Sequence, residues 1–109
     1  MTDQKEQQAE IAEPLIVQRP FYYPSPGQTI PRGPGVELSV HAEWPYMELR
    51  YYDKNSQHYH SDGHSVKENP FNFKTDFTMR VGNNAIHYRF LDLNGNGTDW
   101  YTSGWFNVQ

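Results

Sequence analysis

Residues 36–44 read VELSVHAEW, and apolar and polar side chains alternate along the whole stretch. The apolar residues Val36, Leu38, Val40, Ala42 and Trp44 share one face, and the polar residues share the other. A period of two is typical of a strand in an antiparallel sheet that is buried on one face. This stretch therefore predicts a half-buried β-strand, with Trp44 as the central packing residue of the core.

The same alternation recurs along the chain, whereas helical periodicity is essentially missing. It predicts further strands at YMELRYYD (46–53), FNFKTDFTMRV (71–81), AIHYRFLD (85–92) and SGWFNVQ (103–109). LIVQRPFYYP (15–24) is predicted to be an interrupted first strand, which its two prolines confine to a sheet edge. The predicted core comprises Leu38, Val40, Trp44, Leu49, Phe73, Phe77, Met79, Ile86, Tyr88, Phe90, Phe106 and Val108.

Turn signals separate these strands. PSPGQTIPRGPG (24–35) connects the first two strands, and SDGH (61–64), GNN (82–84) and NGNG (94–97) carry residues that tolerate positive φ. Many short strands joined by closely spaced turns predict an all-β sandwich or a small barrel.

The length of 109 residues allows one domain. Residues 1–14 are polar and acidic, so we expect a disordered tail there and the folded domain at 15–109. The start has neither the basic residues nor the apolar run of a secretory signal, and no stretch is long and apolar enough for membrane insertion. The formal charge of −4 and the scattered basic residues argue against a nucleic-acid partner. There is no cysteine, so disulfides and thiolate chemistry are excluded.

The order of motifs PSPGQTI (24–30), VGNNAIHYRFLDLNGNGT (81–98) and SGWFNV (103–108) resembles that of bacterial immunoglobulin-like domains. Those domains open with a Pro-x-x-Gly turn, pass through a Gly-initiated strand into an Asp-x-x-Gly-Asn hairpin and end on a short strand. The resemblance covers about residues 20–108 and implies an immunoglobulin-like antiparallel β-sandwich of about seven strands. It also implies a place at the cell surface or in secreted proteins.

Three of the five histidines lie in QHYHSDGH (57–64). His58 and His60, two residues apart, are expected on one face of a strand, and His64 is expected to fold back across an Asp62-Gly63 turn. Imidazoles with Asp62 nearby suit zinc, nickel or copper. The alternative is a polar hairpin tip without a metal. The sequence favours this alternative, so no metal or other cofactor is predicted.

Exposed aromatic residues are the other candidate site. Trp100, Tyr101 and Trp105 flank the NGNG hairpin, where Asn94, Asn96 and Asp99 offer polar partners. A flat ring gives a sugar apolar contact, and amide and carboxylate groups bind its hydroxyls. The competing explanation is that these rings cover a strand edge or pair across strands. DLNGNGTD (92–99) also matches part of a calcium loop, but Ser103 stands where that loop needs a glutamate, so a hairpin is predicted.

No motif of a nucleophilic, metal-dependent or phosphate-binding enzyme occurs, and no enzymatic activity is predicted. The sequence favours a non-catalytic binding or adhesion module with a carbohydrate or protein ligand, carbohydrate binding being favoured. The alternative is a structural or protein-interaction module, a spacer or a subunit of a larger surface or phage-like assembly, with the aromatics buried in an interface. A histidine-based metal-binding protein is the third hypothesis.

Overall fold

The computed structural model describes residues 17–109, which form ten strands and no helix. The strands are β1 (Val17–Gln18), β2 (Phe21–Tyr23), β3 (Thr29–Ile30), β4 (Glu37–Val40), β5 (Tyr46–Asp53), β6 (His58–Ser65), β7 (Phe71–Lys74), β8 (Gly82–Leu91), β9 (Tyr101–Thr102) and β10 (Phe106–Val108). The predicted disordered tail, 1–14, lies outside the described residues. Within those residues no helix is long and apolar enough to cross a membrane.

The strands form two sheets. In the larger sheet β6 pairs with β5, and β5 pairs with β8. On the side of β8 away from β5, the short strands β9 and β10 pair with successive parts of β8. The short strands β1 and β3 lie outside β9 and β10 and run parallel to them. The smaller sheet has the order β2–β4–β7 and is antiparallel.

The core lies between the inner faces of the two sheets. Alternate residues of β4, β5 and β8 are buried there, as the period of two requires. Phe21 of the smaller sheet meets Tyr88 of the larger sheet edge to face, with ring centroids 5.5 Å apart. The predicted all-β sandwich is therefore confirmed, and nine of the twelve predicted core residues are buried: Leu38, Val40, Leu49, Met79, Ile86, Tyr88, Phe90, Phe106 and Val108.

Two predicted strands end earlier than their alternation suggests. The strand at 36–44 stops at Val40, and the chain bends at Trp44 and Pro45, so Trp44 packs half-buried at the margin of the core instead of at its centre. The strand at 71–81 stops at Lys74. There the Thr75 hydroxyl accepts a hydrogen bond from the Val36 amide (3.0 Å) and donates one to the Phe77 carbonyl (3.0 Å). These bonds turn the chain out of the sheet and leave Phe77 half-buried.

Candidate metal centre

The histidine-rich stretch is a strand and not a hairpin tip. All eight residues of β6 lie beside β5, with His64 opposite Met47 and Asp62 opposite Leu49. The turn falls earlier, at residues 54–57, where Ser56 has φ 60°. Gly63 is absent from the residues with positive φ and sits inside the strand. The predicted turn at SDGH (61–64) was therefore wrong. The sequence alone does not distinguish a glycine inside a strand from a glycine in a turn.

A β-bulge at Tyr59 decides which way the histidines face. Tyr51 lies opposite His60 and Tyr52 opposite His58, so Tyr59 is the extra residue between two pairs. The bulge reverses the alternation of side chains. His58 consequently faces the outer surface, 5.6 Å from Tyr52 between ring centroids, whereas His60 faces inward beside Tyr51. The expectation that His58 and His60 share one face was wrong for this reason.

Tyr59 is anchored from several sides. Its hydroxyl donates a hydrogen bond to the carboxamide oxygen of the buried Asn84. The Arg80 guanidinium lies 4.6 Å from its ring centroid, and the ring packs edge to face on Phe77. Because these contacts hold the bulged residue inward, the side chains that follow it on β6 point alternately inward and outward, beginning with an inward His60. The inward set is His60, Asp62 and His64.

Three potential metal ligands converge on the inner side of β6. His60 Nε2 lies 2.9 Å from Asp62 Oδ1 and 3.9 Å from Asp76 Oδ1. One ligand atom from each of these residues lies within 4.8 Å of those of the other two. His60 and Asp62 come from β6, whereas Asp76 comes from the bend after β7. The fold thus joins two chain segments at this point.

Aromatic rings fix the orientation of the His60 imidazole. It stacks on Phe77 with a centroid distance of 3.7 Å and an interplanar angle of 24°. Tyr51 lies behind both rings, 5.8 Å from His60 and 4.8 Å from Phe77. The imidazole therefore keeps its Nε2 edge toward the two carboxylates.

Two polar atoms at this cluster are buried without a hydrogen-bond partner: Asp62 Oδ2 and the Tyr51 hydroxyl. The Tyr51 hydroxyl lies near Asp62 without meeting hydrogen-bond geometry. Burial first, and then the negative charge and closeness of Asp62, raise the pKa of Tyr51 well above its ordinary value. The hydroxyl therefore stays protonated and can donate a hydrogen bond. An unpaired buried carboxylate oxygen is costly, because a charged group loses its hydration. The cluster consequently has unused capacity to bind a cation or a polar group.

Of the predicted histidine set, the structure brings together His60 and Asp62 and separates His58 and His64 from them. His64 packs against Phe71 and Phe73, with ring centroids 5.9 and 4.7 Å away, and its Nε2 is buried without a partner. Asp76 was not predicted. No local pattern marks it, because only the packing of the two sheets brings it to His60.

The predicted aromatic platform is dispersed. Tyr101 is buried, and its hydroxyl accepts a hydrogen bond from Arg19 (3.1 Å). Trp100 precedes Tyr101, which lies opposite Tyr88, and Trp105 precedes Phe106, which lies opposite Asn84. The two tryptophans are therefore about four residues apart along β8, roughly 13 Å. The Trp100 ring is contacted by the guanidinium groups of Arg50 and Arg89, 4.3 and 4.9 Å from its centroid, and is not an open stacking surface.

The polar residues of that predicted platform shape the hairpin. The predicted turn at 94–97 is confirmed, with Leu91 bridged to Gly97 across it. Asp92 Oδ1 accepts backbone hydrogen bonds from Asn94 (2.8 Å) and Asn96 (2.9 Å), and these bonds lower the pKa of Asp92. Asn94, Asn96 and Asp99 are exposed.

Comparisons with known proteins leave the family open. No family model matches the chain, and no curated protein matches it. Among solved structures it is similar to CopC from Methylosinus trichosporium OB3b, with 20% identity and a TM-score of 0.47 over 79% of this chain and 86% of that one. A likeness of this size carries no argument about function.

Proposed function

We propose that this protein binds one divalent first-row transition-metal ion through His60 Nε2 and the carboxylates of Asp62 and Asp76. The observation that carries the proposal is the convergence of one imidazole and two carboxylates from separate chain segments within 4.8 Å of one another. The buried, unpaired second oxygen of Asp62 supports it, because a bound cation would offset the cost of that charge.

The distances suit a tetrahedral ion. With metal–ligand bonds of about 2.0–2.1 Å, two ligands of a tetrahedral zinc lie about 3.3 Å apart. The 2.9 Å separation of His60 from Asp62 and the 3.9 Å separation of His60 from Asp76 bracket that value. The Asp76 side chain is 86% exposed, so it has room to move inward by the required fraction of an ångström.

The donor set narrows the choice of ion. One nitrogen and two carboxylate oxygens suit zinc and copper(II), and two negative charges balance a divalent cation. Copper(II) binds a given site of this kind more tightly than zinc does. Metal ligands must be deprotonated to bind the ion, so the affinity is expected to fall as the pH is lowered.

A structural role for the same residues predicts something different. Among residues 17–109, β6 pairs only with β5, and inward-pointing charged residues are one device that keeps an edge strand from pairing with other chains. That role needs only His60 and Asp62 on the strand itself. It gives no reason for Asp76, which is on another segment, to approach the same imidazole.

Calorimetric titration with zinc and with copper(II) tests the proposal. We expect one ion per chain, with binding lost in His60→Gln and weakened in Asp76→Asn. His58→Gln is the matched control, because His58 belongs to the same strand but faces the outer surface. Binding that survives in His60→Gln, or that disappears in His58→Gln, would contradict the proposal.

Several finer predictions remain untested and stand as hypotheses beside this one: carbohydrate binding at Trp100 or Trp105, a spacer or subunit role, and membership of the bacterial immunoglobulin-like domains. For Trp105, exposure supports a contact role, since its side chain is 44% exposed. Indole NMR signals that move with an added oligosaccharide would favour the first of these. A dimer in solution would favour the second.

A further inference from the structure

A second concave surface lies on the other sheet, away from β6. The outer face of β2–β4–β7 and the loop at residues 31–35 enclose a groove of about 830 Å³. This volume falls in the range of small-ligand sites in proteins. No residue of the His60 cluster lines the groove, so its function is independent of the proposed metal site.

The loop that forms the wall is tied to the segment after β7. The amide of Val36 donates a hydrogen bond to the Thr75 hydroxyl (3.0 Å), the amide of Thr75 donates one to the Val36 carbonyl (3.0 Å), and Pro34 is bridged to Thr78. Gly35 has φ +73°, and the Lys74 side chain fills the space where a Cβ would stand. The groove is therefore preformed, which reduces the entropy lost when a ligand binds.

Two rows of polar side chains make up the floor. Pairing across the sheet aligns Tyr23, Ser39 and Asn72 in one row. Glu37 and Lys74 form the next row, about 7 Å along the strands. Within a row, neighbouring side chains stand about 5 Å apart. Among residues 17–109 no hydrogen bond or ion pair forms to any of these five side chains, and all five line the groove.

We propose that this groove binds a neutral oligosaccharide. Sugar hydroxyls are both donors and acceptors, and the floor offers both: the hydroxyls of Tyr23 and Ser39, the carboxamide of Asn72 and the carboxylate of Glu37. The half-buried ring of Tyr23 adds an apolar surface with a polar tip, which suits the C–H face of a sugar ring. Pro31 and Pro34 supply further apolar contact from the wall.

Other ligand classes fit less well. An anion would meet Arg32 and Lys74, but Glu37 lies directly opposite Lys74 and repels negative charge. A peptide is held by an open strand edge or by apolar anchor pockets. This groove lies over the face of the sheet, and the outward residues of its floor are polar. A neutral polyhydroxylated chain can hydrogen-bond to the floor and adds no charge of its own.

Amide NMR spectra recorded during titration with neutral glucan, xylan, mannan and chitin oligosaccharides test this inference. We expect saturable shifts at the amides of Gly33 and Gly35 and at the side-chain amide of Asn72. Asn72→Ala should weaken binding about 2- to 10-fold, the loss expected for a neutral hydrogen bond. Ser39→Trp, which fills the groove, should abolish it. Asn83→Ala, an exposed change on the larger sheet, should have no effect.

A well-dispersed spectrum that does not change with any of these sugars would overturn the inference. So would shifts caused only by phosphate or by an unrelated peptide, or binding that is equal in Asn72→Ala and the parent. A thermal melt of each variant separates a lost site from a lost fold. Loss of zinc binding in His60→Gln would leave these results unchanged, so the two proposals fail separately.

Discussion

The hydroxyls of Tyr59 and Tyr88 are in opposite situations, and removing each one tests the packing that positions β6. The Tyr59 hydroxyl donates to the carboxamide of Asn84, a residue with no exposed surface. The Tyr88 hydroxyl is buried without a partner. Tyr59→Phe and Tyr88→Phe each delete a single oxygen atom, but we expect opposite effects on the free energy of unfolding.

The magnitudes follow from what each deletion leaves behind. Tyr59→Phe leaves the Asn84 oxygen unpaired in the core, which costs about 1–3 kcal/mol, more than the net 0.5–1.5 kcal/mol or so of an ordinary hydrogen bond. We expect a loss of about 2 kcal/mol, or roughly 8–16 °C in Tm for a domain of this size. Tyr88→Phe removes a polar atom that is already unpaired, so Tm should stay the same or rise by a few degrees.

Thermal unfolding followed by near-ultraviolet circular dichroism measures both variants under one set of conditions. Urea midpoints with an unchanged slope would show that the difference lies in native stability. If Tyr59→Phe were as stable as Tyr88→Phe, the hydrogen bond assigned to the Tyr59 hydroxyl at the bulge would be wrong. The argument that Tyr59 fixes the inward orientation of His60 would then lose its basis.

Two further predictions concern the core and the turn before β6. Leu38→Ala should lower the free energy of unfolding by about 2–5 kcal/mol, because Leu38 is buried in the core. Trp44→Ala should lower it by less than truncation of a central aromatic residue would, because Trp44 is only half-buried. Denaturant titration measures both changes. Desolvation acts against the charge of Asp53, but hydrogen bonds from Arg80, Gln57 and Asn55 still hold its pKa below the ordinary value. This stabilisation is complete above the unfolded-state pKa and is lost as the pH falls through the lower folded-state pKa, so urea midpoints should fall in acid, and less steeply in Asp53→Asn.

The sequence predicted the parts of the fold in which a strand has one buried face. Residues 37–40, 46–53 and 85–91 alternate because one face of each is packed in the core, and each lies in a strand of the structure. β6 was missed because its inward residues, His60, Asp62 and His64, are polar and its interior contains Gly63. A buried polar face has no apolar period to detect.

The candidate site was predicted only in part, for two physical reasons. A bulge is a local insertion that depends on its anchors, here Asn84 and Arg80, which lie more than 20 residues from Tyr59 in the chain. Asp76 reaches His60 only through the packing of one sheet against the other. Spacing along a single segment contains neither piece of information, so the sequence selected His58 and His64 and omitted Asp76.

The central claim is that His60 binds a metal ion together with Asp62 and Asp76. Long-range proton–nitrogen NMR spectra of the imidazoles, recorded while zinc is added to the full chain, test it most directly. We expect a saturable change at Nε2 of His60 at one equivalent, with His41, His58 and His87 unchanged. A spectrum in which the His60 nitrogens do not respond, or in which His58 responds first, would contradict it.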